Sequence, residues 1–221
     1  MEQQPSLDQR RGWSRGVLLA PVAAGVLLIT AMLLTLRIIG GEPTLIGTEL
    51  DGRLAPDFTL TDHRGQDVRL TDFRGKAVVL TFVYTSCPDI CPLIAENLRI
   101  AHELLPEDAR DDVALLAVSL DPARDTPRAL RDFSAVHRLA DNPSWFALRG
   151  DPAALQQVWQ DYGMYPGTGP ATPGSSIATT GGGEGHTDGI YLIDPEGRER
   201  VFMRSSATSQ EIAGNLAALL A

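Results

Sequence analysis

Two continuous apolar runs constrain this chain more than any other feature: residues 76–84, KAVVLTFVY, and residues 112–120, DVALLAVSL. Both are rich in β-formers, and neither alternates apolar with polar positions. That is the pattern of central strands covered on both faces. Strands of this kind need helices above and below them. The chain supplies PLIAENLRIAHELL after the first run, with Leu93, Ile94, Leu98, Ala101, Leu104 and Leu105 as its apolar stripe. Pro127 opens a second helix, read to about Ala140, with Thr126 as its N-cap. A short strand at 145–148 and a helix at 152–162 follow. Residues 58–60 and 68–70 flank Asp62-His63-Arg64-Gly65 and read as a hairpin. Residues 189–194 and 200–204 read as another, across Pro195-Glu196-Gly197, and an amphipathic helix at 208–220 closes the chain. This order predicts an α/β domain: a mixed central sheet flanked by helices on both faces.

Ahead of that domain lies a different kind of sequence. Residues 16–36 carry no charge for 21 positions, between Arg15 and Arg37. As a helix at ~1.5 Å per residue, such a run spans roughly the hydrocarbon core of a bilayer. A cleaved signal peptide would have a shorter apolar region and a small-residue cleavage site. Here the run ends in Leu33-Leu34-Thr35-Leu36 and no cysteine follows to carry a lipid. An uncleaved anchor is therefore expected, with Arg10, Arg11 and Arg15 holding the N-terminus in the cytoplasm. The expected organisation is a cytoplasmic tail at 1–15, a transmembrane signal anchor at 16–37, a tether at 38–54 and an exported domain at 55–221. The formal net charge of −9 argues against a nucleic-acid partner.

The only two cysteines, Cys87 and Cys91, stand four apart between Pro88 and Pro92, directly after the first apolar run. A disulfide closing so small a loop would stabilise the fold weakly. Paired cysteines on a loop more often serve redox chemistry or hold a metal. Pro92 fits the first helical position, with Cys91 as N-cap. Both sulfurs then sit near the positive end of a helix dipole, which favours thiolates, with Asp89 opposing slightly. Three intervening residues permit a disulfide and also leave room for an ion between the sulfurs. Two soft thiolates favour Cu(I), and one imidazole would complete a three-coordinate site.

There are four histidines. His63 lies in a turn and reads as solvated; His102 and His137 read as surface or boundary residues of helices. His186 ends a long Gly-, Pro-, Ser- and Thr-rich stretch, 163–185, just before a strand. In α/β folds ligands gather at loops beyond strand ends, which ranks His186 above the other three. Met164 and Met203 are read as packing.

Thr85-Ser86-Cys87-Pro88-Asp89-Ile90-Cys91-Pro92 resembles the copper-binding signature of the Sco/SenC family. Residues 119–127, SLDPARDTP, resemble that family's S-x-D-P-x-R-D-T-P segment. His186-Thr187, ahead of residues 191–197 (YLIDPEG), resembles its histidine and the following strand; Glu184 and Gly185 depart from the apolar residue and Asp the family often has there. The similarity runs from about Ala55 to Leu220. It implies a thioredoxin-like fold with one N-terminal transmembrane helix, and copper held by Cys87, Cys91 and His186. It further implies copper delivery to the dinuclear centre of cytochrome c oxidase subunit II. The implied setting is the bacterial inner membrane, with the domain on the periplasmic side. Cu(I) is the expected ion, with Cu(II) left open; a second copper carrier or a thiol reductant would be further partners.

The competing reading is a thiol–disulfide oxidoreductase acting on cysteines of the oxidase subunit or other exported proteins. Cys87 would attack and Cys91 resolve. His186 has a use in coordination that plain exchange does not require, which favours the carrier.

Overall fold

In the computed structural model the two apolar runs form adjacent central strands, β4 (Ala77–Val83) and β5 (Val113–Ser119), and every residue in both is buried. The structure describes residue 25 and residues 28–32, 44–164 and 189–221. The chain divides into two units, Met1–Pro43 and Thr44–Ala221. Residues 28–32 of the first are helical. Most of the expected anchor lies outside the described residues, among which no helix is long and apolar enough to cross a membrane.

The flanking strands are β1 (Thr48–Glu49), β2 (Thr59–Asp62), β3 (Asp67–Arg69), β6 (Trp145–Arg149), β7 (Gly189–Ile193) and β8 (Glu199–Arg204). Among the described residues these and the central pair form one eight-stranded sheet of order β1-β8-β7-β4-β5-β6-β2-β3. β4, β5 and β6 are parallel, whereas β7 runs antiparallel to β4 and β2 antiparallel to β6. Because side chains alternate along a strand, β4 divides its residues between two cores. Ala77, Val79 and Val83 meet α1 (Ile90–Leu104), α3 (Pro127–Val136) and α5 (Ser209–Leu220) on one face. Val78, Leu80 and Phe82 meet α4 (Pro152–Asp161) and the β2–β3 hairpin on the other. The expected mixed sheet with helices on both faces is what forms.

Local signals placed several boundaries correctly. The Thr126 hydroxyl accepts the Ala129 N–H at the start of α3, and Thr208 and Glu211 cap α5 reciprocally. Other readings change. Helix α1 begins two residues earlier than expected. Asp89 is its N-cap, accepting the Ile90 N–H at 2.7 Å, so Cys91 and Pro92 lie inside the first turn. Proline is tolerated there because first-turn N–H groups have no helical partner anyway. Leu93 and Leu104 point outward rather than into the core. Helix α3 stops at Val136, not Ala140: Arg138 adopts φ 56°, and the Leu139 N–H bonds back to the Ser134 carbonyl at 2.8 Å. That closing bond lets Leu139 bury completely in the core.

Residues 44–54, read from the sequence as tether, belong to the compact unit. β1 pairs with β8, Leu45 packs on the core, and Ile46 exchanges two hydrogen bonds with the Asn215 amide at 2.8 and 2.7 Å. A four-residue helix, α2 (Glu107–Arg110), lies between α1 and β5. His63 is the clearest reversal: it is 2% exposed, not solvated. Its Nδ1 accepts the Ala147 N–H at 3.3 Å, and its Nε2 has no partner among the described residues. His102 is also buried, with Nε2 3.1 Å from the Arg110 carbonyl. Met164 and Met203 pack in the two cores as expected.

Candidate metal and redox site

Strand β4 delivers the cysteines. Beyond Val83 the chain turns sharply, and the Cys87 N–H donates to the Tyr84 carbonyl at 3.1 Å. Two residues later Asp89 caps α1, which carries Cys91 in its first turn. Both thiols are free and nearly buried, at 6% and 2% exposure, and belong to the core on the α1 face of the sheet. The turn and the helix bring them together: the Cys91 N–H donates to Cys87 Sγ at 3.3 Å, and Asp89 Oδ1 lies 3.9 Å from the same sulfur.

The two thiols are electrostatically unequal. Burial pushes the Cys87 thiol up, but hydrogen bonds from the Cys91 thiol, the Cys91 and Asp89 N–H groups and the Tyr84 hydroxyl outweigh it. The net effect holds Cys87 below its ordinary value. Cys91 is driven strongly upward, chiefly by burial and then by its bond to Cys87. Tyr84, through its bond to the Cys87 sulfur first and burial second, is pushed up to about 12. Charge on the pair therefore concentrates on Cys87, which accepts donors at the positive end of a 15-residue helix. Two sulfurs held together, one with its thiolate favoured by hydrogen bonds, make a fitting donor pair for a soft monovalent ion.

The loop after β5 lies beside the cysteine turn. The Leu120 N–H bonds to the Val83 carbonyl at 2.8 Å, joining the two loops where the parallel strands end. Asp125 is completely buried there. It accepts the Thr85 N–H at 2.8 Å, the Thr85 hydroxyl at 2.7 Å and the Ser119 hydroxyl at 2.5 Å. The Arg149 guanidinium donates to its backbone carbonyl at 3.3 Å. Asp89 proves to be a helix cap, and Asp125 is wholly inside. Neither Tyr84 nor the Thr85–Asp125 bond was legible, because the motif containing Asp125 carries no local sign of a partner 40 residues earlier.

His186 lies outside the described residues, as do residues 165–188. The chain returns at Gly189, whose carbonyl accepts the Thr81 hydroxyl at 3.0 Å near the carboxyl end of β4. The structure thus unites Cys87 and Cys91, and shows the other three histidines elsewhere: His63 beside β6, His102 against Arg110, and His137 tilted against the Phe133 ring.

With this geometry established, the relatives are informative. The family model described as SCO1/SenC matches residues 47–221. The chain is 31% identical over 165 residues to the mitochondrial SCO2 homolog of Bos taurus, covering 72% of this chain and 57% of that one. It is 28% identical over 165 residues to the mitochondrial SCO1 homolog of Homo sapiens, covering 74% and 52%. It thus spans little more than half the length of these two proteins. Among solved structures, apo Sco1 from Thermus thermophilus matches with 30% identity and a TM-score of 0.65, over 82% of this chain and 100% of that one. Bradyrhizobium japonicum ScoI with copper bound matches with 30% identity and a TM-score of 0.56, over 76% and 100%. The fold is the mixed α/β, thioredoxin-like one of these neighbours.

Proposed function

This chain belongs to the SCO1/SenC family, and we propose on that footing that it is a membrane-anchored copper carrier serving cytochrome c oxidase assembly. The observation that carries the reading is the free, buried pair Cys87 and Cys91 at the start of α1. Copper is the cargo, held by the two sulfurs and by His186, and passed to the dinuclear centre of oxidase subunit II. His186 precedes Gly189 by three residues in the sequence. Gly189 bonds to Thr81 close to the cysteine end of β4, which supports imidazole as the third donor. The uncharged run 16–36 supports a single-pass anchor in the bacterial inner membrane, with the domain on the periplasmic side.

What the protein itself contributes is a held donor pair. Helix α1 and the 84–87 turn orient both sulfurs, and burial excludes water from them. The hydrogen bonds at Cys87 favour its thiolate while burial opposes that of Cys91, and both thiol protons are displaced as the ion binds. Transfer then proceeds by exchange of these ligands for those of the recipient.

The same asymmetry favours a second reading, disulfide exchange. The Cys87 thiolate would attack a disulfide sulfur of an exported partner, releasing one partner thiolate and forming a mixed disulfide. Cys91 would displace the second thiolate. The dithiol thereby loses two electrons and two protons to the partner.

The deciding experiment reduces the full chain anaerobically in detergent and titrates Cu(I) against a competing chelator, for the wild type, Cys87→Ala and His186→Ala. One tightly held ion per chain, weakened by both substitutions, is expected. Binding indifferent to His186→Ala removes the histidine from the ligand set. A wild type that holds no copper yet exchanges disulfides rapidly is an oxidoreductase, and the carrier reading is wrong.

A further inference from the structure

The donor set leaves the most heavily bonded side chain near it unused. Asp125 is wholly buried, and its two carboxyl oxygens take three hydrogen bonds, all from the neutral groups of Thr85 and Ser119. Among the described residues no lysine or arginine pairs with that carboxyl. An acidic side chain is tolerated out of water only where its oxygens are fully bonded, so the three donors are a requirement of the placement. Helix capping does not explain it, because the neighbouring Thr126 already caps α3. What Asp125 adds is a junction. Ser119 ends β5, Thr126 starts α3, and Thr85 stands two residues before Cys87 in the turn closed by the Cys87–Tyr84 bond.

We propose that Asp125 is a positioning residue for the cysteine pair: its carboxyl latches Thr85 and thereby fixes the 84–87 turn, and Cys87 with it, against Cys91 on α1. The inference rests on the reading that this pair holds copper. With the latch in place the turn is ordered before an ion arrives, so capture does not bear the entropy of ordering it. The same preorganisation raises the effective concentration of one thiol at the other. Loss of the latch therefore weakens copper capture and disfavours the Cys87–Cys91 disulfide together.

The test uses the full chain in detergent as Asp125→Ala, Thr85→Val and Thr85→Ser. Two quantities are measured beside the thermal midpoint: Cu(I) affinity against a chelator, and the thiol–disulfide equilibrium with glutathione. In the latter, the two thiols lose two electrons and two protons to oxidised glutathione, giving the intramolecular disulfide and two reduced glutathiones. Asp125→Ala is expected to lower both constants about tenfold, which for the two-electron couple is an upward potential shift of about 30 mV. Thr85→Val, which keeps the backbone bond and loses the hydroxyl, moves both in the same direction by less. Thr85→Ser, which keeps the hydroxyl, stays near wild type. A merely structural Asp125 would lower the thermal midpoint while leaving both constants within twofold of wild type, and that result overturns the proposal. If Asp125→Ala does not fold, the contrast between Thr85→Val and Thr85→Ser decides by the same criterion. A wild type that binds no copper defeats the carrier reading alone, because the glutathione equilibrium still reports on the latch.

Discussion

Replacing Ser134 by alanine should destabilise this domain even though it removes a single oxygen from a helix. Ser134 sits in α3 with no solvent exposure, and its hydroxyl does two things. It donates to the Leu130 carbonyl at 2.8 Å and accepts the Trp145 indole N–H at 2.9 Å. Trp145, on β6, is itself completely buried. In Ser134→Ala the indole N–H is stranded in the core, and an unsatisfied buried donor costs about 1–3 kcal/mol. Alanine returns up to ~0.5 kcal/mol through its better helix propensity. The net loss should be about 1–2 kcal/mol, or roughly 2–8 °C in midpoint for a domain of this size. Trp145→Phe should cost about 2–4 kcal/mol on its own through the cavity it leaves. With the indole gone, however, Ser134→Ala orphans nothing and should be close to neutral. The double-mutant cycle therefore has a coupling energy of about 1.5 kcal/mol. Guanidinium unfolding followed by far-ultraviolet circular dichroism measures all four proteins, with equal m-values confirming that the denatured states are comparable. If Ser134→Ala costs the same in both backgrounds, the stranded donor is not what stabilises the contact. The link to function is direct, because α3 begins at the Asp125–Thr126 junction beside the cysteine turn.

Three further outcomes follow from the same structure. Limited alkylation of the reduced protein near neutral pH should label Cys87 well before Cys91, because hydrogen bonds favour the first thiolate while burial opposes the second. Peptide mass mapping checks the order, and labelling of Cys91 first would contradict it. Stability should fall as pH drops from about 7 to 5. His63, His102 and His137 are each held below their ordinary 6.5, mainly by burial, so the unfolded chain takes up protons first and is favoured as the pH descends through that range. Denaturant midpoints that do not change between pH 7 and 5 would show those imidazoles to be accessible. Thr208→Ala should cost about 1 kcal/mol, read as a lower thermal midpoint, because it removes the N-cap of α5 and half of its reciprocal cap with Glu211.

The sequence alone determined what depends on near neighbours. Uninterrupted apolar runs gave β4 and β5, since a strand buried on both faces leaves no polar alternation to misread. Thr126 marked a helix start because a cap acts within three residues of itself. The cysteine pair stood out because its partners are four apart and preceded by a strand. Tertiary structure decided whatever needs a distant partner. A turn rich in Asp, Arg and Gly looks solvated until the Ala147 N–H, 84 residues away, takes up His63. Residues 45–49 look like a tether until Asn215 and β8 bond to them across more than 150 residues. The cap that starts α1 went to Asp89 rather than Cys91, because a carboxylate accepts an N–H better than a thiol does. Asp125 appears in the sequence as one acid within a motif. Only the adjacent ends of β4 and β5, brought together by their pairing, turn it into the residue that holds Thr85 beside the cysteines.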